Sequence, residues 1–303
     1  DMLMLVMTAN AVCLAMCVAL HEGGFGIVER GFKAKLVLVH GAERLVWCSL
    51  PLLLGSPMLL ALAYTASLVL ALLTSLLMNF LLFELLPVDV YRRVVALRTS
   101  VLSGSSVLGM AGAVVLLALV ERPLSYVYAY GVALAVGLFT TLVIALAPLP
   151  DRLSPRPRLQ PDGQVEAEMT SLFLFLALLL AASNLMAVVW PAYLIQVLGA
   201  PDHLAAGVSA VISMTSVVAS TIWSRRPFRD YRLAIAMYLP VPLLVAFTSE
   251  PELHLLIAVL ASIALTGANF LASFTYARYA SLVGATRSTL LLVSASSLGQ
   301  LLA

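Results

Sequence analysis

Charge is scarce in this sequence of 303 residues. Asp, Glu, Lys and Arg together make up only 11% of it, and the formal net charge is +2. Soluble domains carry about 25% charged residues. Hydrophobic residues instead make up 62% of the chain, and the mean hydropathy is +1.05. This composition excludes an ordinary soluble globular domain, a disordered chain and a nucleic-acid-binding protein.

Cysteines and catalytic motifs are equally few. The three cysteines lie in or beside apolar runs and form no CxxC pair, which excludes a disulfide framework and gives no support for a redox or metal site. His21-Glu22 does not begin an HExxH motif, and the glycines at 23–26 complete neither a GxGxxG fingerprint nor a P-loop. We therefore expect no cofactor, no metal and no enzymatic activity.

Long apolar runs are what the sequence has in abundance. A membrane-crossing helix needs roughly 20 mostly apolar residues, and the runs show none of the period-2 alternation typical of barrel strands. The sequence therefore predicts an all-α polytopic membrane protein. Residues 45–86 are almost continuously apolar, and the turn between the two spans that they contain is expected at Ser56-Pro57 or Tyr64-Thr65. The ten predicted spans are 1–20, 45–63, 66–86, 99–120, 125–148, 170–198, 204–224, 232–249, 253–277 and 288–303.

The basic residues predict the topology. Of the 17 Lys and Arg residues, all except Arg122 fall in every second loop. Because short cytoplasmic loops collect Lys and Arg, we expect these loops on the cytoplasmic side of a cell membrane and both ends of the chain outside. The predicted cytoplasmic loops are 21–44, which has room for a short interfacial helix, 87–98, 149–169, 225–232 and 278–287.

The two halves of the chain contain a repeated pattern. RTSVLSGSSVLG, from Arg98 to Gly109, corresponds to RSTLLLVSASSLG, from Arg287 to Gly299, and the basic loops two spans earlier correspond at nearly the same offset. Both copies have the same predicted orientation, which indicates a parallel repeat. The predicted domains are an N-terminal half-bundle of five helices at 1–148, a cytoplasmic linker at 149–169 and a C-terminal half-bundle of five helices at 170–303.

These features resemble the major facilitator superfamily of transporters. The segment from Val188 to Arg232 is similar to that family's seventh and eighth helices, with a Pro-x-Tyr, a Leu-Gly turn and a basic loop, and Pro87 to Gly112 is similar to its fourth loop and fifth helix. Glu29-Arg30-Gly31-Phe32-Lys33 is a degraded form of the loop motif between helices two and three, although positive-inside bias alone would also place basic residues there. The resemblance implies two parallel-repeat helical bundles and a fragment with ten of twelve helices, lacking the first and the last.

Polar residues within the spans are the candidate substrate contacts. A transporter of this type binds its substrate near the bilayer midplane, and polar groups there are costly unless they have a role. Each amide could instead form a helix–helix hydrogen bond, and Trp190, beside the kink expected at Pro191, could belong to an interfacial belt. The predicted substrate-binding residues are Asn10, Asn184, Asn269, Asn79, Trp190, Tyr193 and Gln196.

Gating and coupling groups are fewer. Glu84 is the only carboxylate expected within the membrane zone, since Asp1 is at the outer end of the first predicted span, and we expect Glu84 either to pair with Arg98 or to act as a proton site. Arg30 and Arg225, in the basic loops of the two halves, are the other predicted gating or coupling residues. Small residues recur every four positions at Ser105, Gly109 and Ala113, which predicts close helix packing. In the family that the chain resembles, a glycine-rich fifth helix marks many antiporters, so the resemblance also implies a slight preference for export.

The predicted function is secondary active transport of a small neutral or lipophilic solute by alternating access. The expected partners are that solute, the lipid bilayer and a coupling ion, H⁺ or Na⁺, with no nucleic acid. The alternative is a non-transporting membrane receptor or assembly scaffold that keeps the transporter fold.

Overall fold

The computed structural model describes residues 2–23, 31–53, 55–121, 124–151, 163–226 and 231–303. Regular structure in these residues is helical throughout, as predicted. They form eleven α-helices: α1 Met2–Gly23, α2 Phe32–Ser49, α3 Pro57–Leu85, α4 Val88–Leu119, α5 Leu124–Leu146, α6 Gly163–Ala192, α7 Asp202–Ser224, α8 Tyr231–Tyr238, α9 Val241–Phe247, α10 His254–Val283 and α11 Ala285–Leu302.

The helices correspond in number and order to the ten predicted spans, because α8 and α9 together take the place of the single span at 232–249. Within the described residues, seven helices are long and apolar enough to cross a membrane, and Met7–Leu20 and Arg232–Phe247 are shorter apolar helical stretches. The longest of the seven are Gly163–Val197 at 35 residues and Pro251–Val283 at 33 residues. The chain is thus a multi-pass helical membrane protein.

The bounds of the second and third predicted spans are wrong. The second candidate span covers Phe32–Leu53, with a 3₁₀ turn at Leu50–Leu53, and the third begins at Pro57. Gly31 lies directly before α2 and has a left-handed φ of 63°, a conformation that glycine adopts without steric cost. The second span therefore begins at Phe32 and not at residue 45. Proline at the first position of α3 marks the break, because it has no N–H to leave unsatisfied there.

The basic loops are shorter than predicted, because helices extend into them. Residues 32–44 are part of α2, α4 already begins at Val88, and α6 begins at Gly163. Only Gly284, with a φ of 94°, separates α10 from α11, so the predicted loop 278–287 is nearly all helix. The Arg and Lys residues that the sequence places in loops therefore lie on helix ends. Their long side chains reach the membrane interface from there.

Residue contacts divide the described chain into two units. Unit 1 is Asp1–Leu86, Gly112–Ala177 and Tyr279–Leu302, and unit 2 is Pro87–Ala111 and Leu178–Arg278 with Ala303. In unit 1, α1 packs against α3 and α11, and α2 packs against α3 and α5. The half-bundles at 1–148 and 170–303 and the linker at 149–169 stay predictions, and most of that linker lies outside the described residues.

Close helix packing occurs at other glycines than predicted. A Cβ added at Gly104, Gly109 or Gly112 would meet no atom within 4 Å among the described residues, so the small-residue stripe of α4 does not form the expected tight contact. On this face of α4, Ser105, Gly109 and Gly112 are exposed. At Gly267 in unit 2, by contrast, an added Cβ would lie 2.5 Å from Ala234 Cβ and 2.6 Å from Trp223 Cε2.

Candidate functional site

A cavity of about 230 Å³ lies within unit 2. Its walls come from α4, α7 and α10, each of which contributes residues from the middle part of a membrane-crossing segment. Six of its lining residues are polar and none is charged. The lining residues are Val95, Thr99, Ile212, Ser216, Ser262, Leu265, Thr266, Asn269, Phe270 and Ser273.

Helix α10 supplies most of the polar lining. Ser262, Thr266, Asn269 and Ser273 are separated by four, three and four residues, so they share one face of the helix. The span Pro251–Val283 is apolar enough to cross a membrane. A continuous polar stripe on such a helix is costly in a bilayer unless it faces protein or a cavity, and here it faces the cavity.

Hydrogen bonds join the α10 stripe to α7. The hydroxyl of Ser262 donates to the carbonyl oxygen of Ile212 at 2.7 Å, and the Ser216 and Ser262 hydroxyl oxygens are 3.0 Å apart. Ser216 also bonds to the Ile212 carbonyl within its own helix, at 3.0 Å. These two serines are therefore committed to protein partners and hold the two cavity walls together.

Asn269 is the predicted site residue that reaches this cavity. Its side chain is half-buried, and no hydrogen bond to it is found among the described residues. An amide offers two donors and an acceptor oxygen with two lone pairs, so Asn269 keeps its full hydrogen-bonding capacity towards the cavity. The serine and threonine neighbours were missed from the sequence, although their spacing on α10 was a readable signal.

Trp190 and Tyr193 lie elsewhere in unit 2 and contact a histidine that the sequence reasoning passed over. The Trp190 indole N–H donates to His254 Nδ1 at 2.9 Å, and His254 Nε2 lies 3.1 Å from the carbonyl oxygen of Thr248. Because Nδ1 accepts, the proton of this neutral imidazole is on Nε2. The Tyr193 hydroxyl donates to the carbonyl oxygen of Ala246 at 3.2 Å. His254 is fully buried.

Beside this aromatic group, α6 ends at a proline and a π turn. Pro191 lies inside the helix and cannot donate to the preceding turn, and the chain continues as a π turn over Tyr193–Val197. The amide of Leu198 then bonds to the Tyr193 carbonyl, five residues back, at 3.1 Å. The polar atoms of Trp190 and Tyr193 are thereby occupied within the protein and do not line the cavity.

The remaining predicted residues of unit 2 are dispersed. Asn184 is half-buried on α6, with no hydrogen bond to its side chain in the described part of the chain, and it does not line the cavity. Gln196 is exposed in the π turn. Arg98 is exposed on α4, and Arg225 is exposed at the end of α7. Arg30 lies outside the described residues.

In unit 1 the two predicted asparagines bond to other groups of the protein. Asn10 Nδ2 donates weakly, at 3.5 Å, to the carbonyl oxygen of Gln300, and Asn79 Nδ2 donates to Ser75 Oγ at 3.2 Å. Both asparagines and Glu84 are buried. Glu84 belongs to unit 1 and Arg98 to unit 2, so the pairing of these two residues stays a prediction.

A second polar cluster, also missed from the sequence, lies between α2 and α5 in unit 1. His40 Nδ1 is 2.7 Å from Thr141 Oγ1, and Arg44 Nη2 is 3.4 Å from Glu43 Oε1. The other carboxylate oxygen of Glu43 is buried with no hydrogen-bond partner in the described chain. Since residues 21–44 read as a loop, the sequence did not indicate that this carboxylate lies in a membrane-crossing helix.

No group of three or more His, Cys, Asp or Glu residues that could hold a metal ion occurs in the described part of the chain. The cavity of unit 2 has no charged lining, so its chemistry is hydrogen bonding and apolar contact.

No family model and no curated protein matches this sequence. Solved structures do match its fold. The human organic anion transporter MFSD10 (TETRAN) is similar with a TM-score of 0.71 and 16% sequence identity, over 98% of this chain and 74% of that chain. The proton:xylose symporter XylE, of the major facilitator superfamily, is similar with a TM-score of 0.65 and 13% identity, over 96% and 75%.

The fold is therefore the polytopic helical fold that these two transporters share. More narrowly, it is the fold of the major facilitator superfamily, which confirms the fold that the sequence resemblance implied. At these identities the similarity concerns the fold alone.

Proposed function

We propose that this protein is a secondary active transporter that moves a small uncharged solute across a cell membrane by alternating access. The observation that carries the proposal is the cavity of unit 2, which is lined by the polar face of α10, a helix that is otherwise apolar and long enough to cross a membrane. Its fold, similar to those of an organic anion transporter and a proton:xylose symporter, supports transport in general.

The cavity supports a particular class of solute. Its volume of about 230 Å³ is below the usual range for drug-sized ligands, which favours a small molecule. Hydroxyl groups of Thr99 and Thr266 and the amide of Asn269 offer donors and acceptors without charge, whereas Leu265 and Phe270 offer apolar contact. We propose a neutral solute with one or two hydrogen-bonding groups on an apolar body, bound chiefly through Asn269.

A flux measurement tests this function. The purified protein in proteoliposomes is screened with radiolabelled neutral, anionic and cationic small solutes. We expect saturable flux for a neutral class, and at least a tenfold fall in kcat/KM in Asn269→Leu because one buried amide partner is worth about 1.5 kcal/mol. Thr275→Val is the control on the same helix, since the Thr275 hydroxyl bonds to its own helix at Leu271 and does not line the cavity.

The receptor or scaffold function is the competing outcome of the same screen. Absence of flux for every solute class, with protein that remains folded in the liposomes, would contradict transport and support a non-transporting role. Flux that prefers charged solutes would contradict the proposed solute class while leaving transport intact.

Coupling is proposed at Glu84, with H⁺ or Na⁺ as the ion. Glu84 is buried near the end of α3, and a carboxylate within a membrane-crossing helix is a candidate coupling group. Glu84→Gln is expected to remove the dependence of flux on a pH or sodium gradient and to leave downhill exchange intact. A gradient dependence that survives in Glu84→Gln would contradict this assignment.

The proposed direction is export, with Arg30, Arg98 and Arg225 at the proposed cytoplasmic gate. Vesicles of defined orientation test it: export predicts that inside-out vesicles accumulate the solute under an imposed ion gradient and that right-side-out vesicles release it.

A further inference from the structure

A second cavity, of about 650 Å³, lies within unit 2 between α4 and α7. It is close to the end of both helices, where α4 begins and α7 ends. Two arginines line it, and no acidic residue does in the described part of the chain. The lining residues are Arg93, Ala96, Leu97, Ser100, Thr221, Ser224 and Arg225.

A third arginine fixes the geometry of this end. Arg92 Nη2 donates to the carbonyl oxygens of Arg226, at 2.5 Å, and Ser224, at 3.3 Å. These carbonyls belong to the end of α7, where helix carbonyl groups lack partners within the helix. The Arg92 guanidinium also lies 5.4 Å from the centre of the Phe274 ring. Arg92 thus acts as a clamp between the two helices.

The two arginines that line the cavity have no such role. The side chains of Arg93 and Arg225 are exposed, and within the described residues neither forms a hydrogen bond or an ion pair. Asp89 lies one helical turn before Arg93 but does not pair with it. Two guanidinium groups line one cavity, and their N–H donors have no partner among the described residues, which provides the charge and the donors that a phosphate group needs.

Beside the arginines, the cavity lining is apolar at Ala96 and Leu97 and carries hydroxyl groups at Ser100, Thr221 and Ser224. Leu97 lines the cavity and is 66% exposed, and Val101 continues the same face one turn further along α4. On α7 the exposed residues Val218 and Ile222 flank Thr221. The hydroxyls of Ser100 and Ser220 bond to each other, and the hydroxyls of Thr221 and Ser224 donate to carbonyl oxygens of their own helix. The hydroxyl groups of the lining therefore already have partners within the protein.

We propose that this cavity is a specific site for an anionic phospholipid, with the lipid phosphate between Arg93 and Arg225 and an acyl chain along Leu97, Val101 and Val218. Basic cavities between membrane helices bind anionic headgroups in this way. The apolar track favours a lipid over a soluble phosphate, because a soluble ion would leave the track empty. The proposal depends on membrane insertion and not on transport.

A lipid titration of the purified protein in neutral detergent tests the proposal. Phosphatidylglycerol is expected to raise the apparent Tm and to appear as a retained adduct in native mass spectrometry, whereas phosphatidylcholine and inorganic phosphate have little effect. Arg93→Gln and Arg225→Gln are each expected to weaken phosphatidylglycerol binding about fivefold, and together by more than tenfold. Leu97→Gln is expected to weaken it as well.

Arg232→Gln is the matched control, because Arg232 is exposed on α8, carries the same charge and does not line the cavity. Equal stabilisation by phosphatidylcholine, equal stabilisation by inorganic phosphate, or unchanged phosphatidylglycerol binding in both single arginine variants would overturn the proposal. If the double variant cannot be purified, the two single variants decide the question in the same titration.

Discussion

The two polar clusters inside membrane-crossing segments differ in charge. In unit 1, the cluster between α2 and α5 contains a carboxylate and a guanidinium, Glu43 and Arg44, which lie next to each other. In unit 2, the α10 stripe contains no charge, and Asn269 keeps its hydrogen-bonding groups unoccupied towards a cavity. The difference separates a polar group that balances another from one that is available to a solute.

The cluster of unit 1 is accordingly expected to matter for stability and the stripe of unit 2 for binding. Burying a charge in a bilayer is costly, and a neighbouring opposite charge reduces that cost. An uncharged amide at a cavity costs less to keep, so it can remain without a protein partner. The predictions that follow test this division of roles, from the largest expected effect to the smallest.

Removing one member of the charged pair is expected to have the largest effect. Glu43→Leu leaves Arg44 without its neighbour in the membrane-crossing segment and should lower the free energy of unfolding by about 3 kcal/mol. The measurement is the apparent Tm and membrane abundance of the variant. Glu43→Leu with Arg44→Leu should recover most of the loss, because an apolar pair needs no charge balance; no recovery would contradict the pairing.

Gly267→Ala is expected to have the second-largest effect. The added methyl would lie 2.5 Å from Ala234 Cβ and 2.6 Å from the Trp223 ring, whose N–H is held by the carbonyl oxygen of Ile263 at 2.8 Å. Overpacking of this kind costs about 1–3 kcal/mol. Gly131→Ala is the matched control in unit 1, since nothing lies within 4 Å of its added Cβ.

Thermal melting of the two glycine variants gives the comparison directly. Gly267→Ala should melt earlier than the parent protein, and Gly131→Ala should melt at the same temperature or slightly later because alanine favours the helix. Equal melting of the two variants would mean that α7, α8 and α10 do not approach as closely at Gly267 as described.

Trp190→Phe is expected to have a smaller effect, of about 1 kcal/mol, because it removes the hydrogen bond to His254 and keeps the aromatic packing. Transport KM should stay within twofold of the parent value, since Trp190 does not line the cavity. A large rise in KM with unchanged Tm would instead place this residue at the solute.

Much of this arrangement was predictable from the sequence. Apolar run lengths predicted the helices, and the break at Ser56-Pro57 was one of the two predicted. The same reasoning misplaced the start of α2, because Lys33 and Lys35 look like loop residues until the helix is seen to continue through them. That error hid Glu43, which reads as a loop carboxylate when residues 21–44 are taken as a loop.

The candidate site was only partly predictable. Asn269 was identified as a buried amide, but its neighbours were not, since serine and threonine are common in membrane helices and only the spacing of Ser262, Thr266 and Ser273 sets them apart. Trp190 and Tyr193 were placed at the substrate because periodicity does not reveal side-chain partners. Both residues contact His254, which is distant in the sequence. Residue spacing alone does not predict that α6 and α10 are in contact.

The most direct test of the solute site compares two threonines on α10. Thr266 lines the cavity, whereas the Thr275 hydroxyl bonds to the carbonyl oxygen of Leu271 in its own helix. In proteoliposomes with the neutral solute identified by the flux screen, Thr266→Val is expected to raise KM about fivefold to tenfold, as for one lost hydrogen bond, and Thr275→Val to leave it within twofold. Equal KM values in the two variants, at equal protein abundance, would contradict the assignment of the cavity as the solute site.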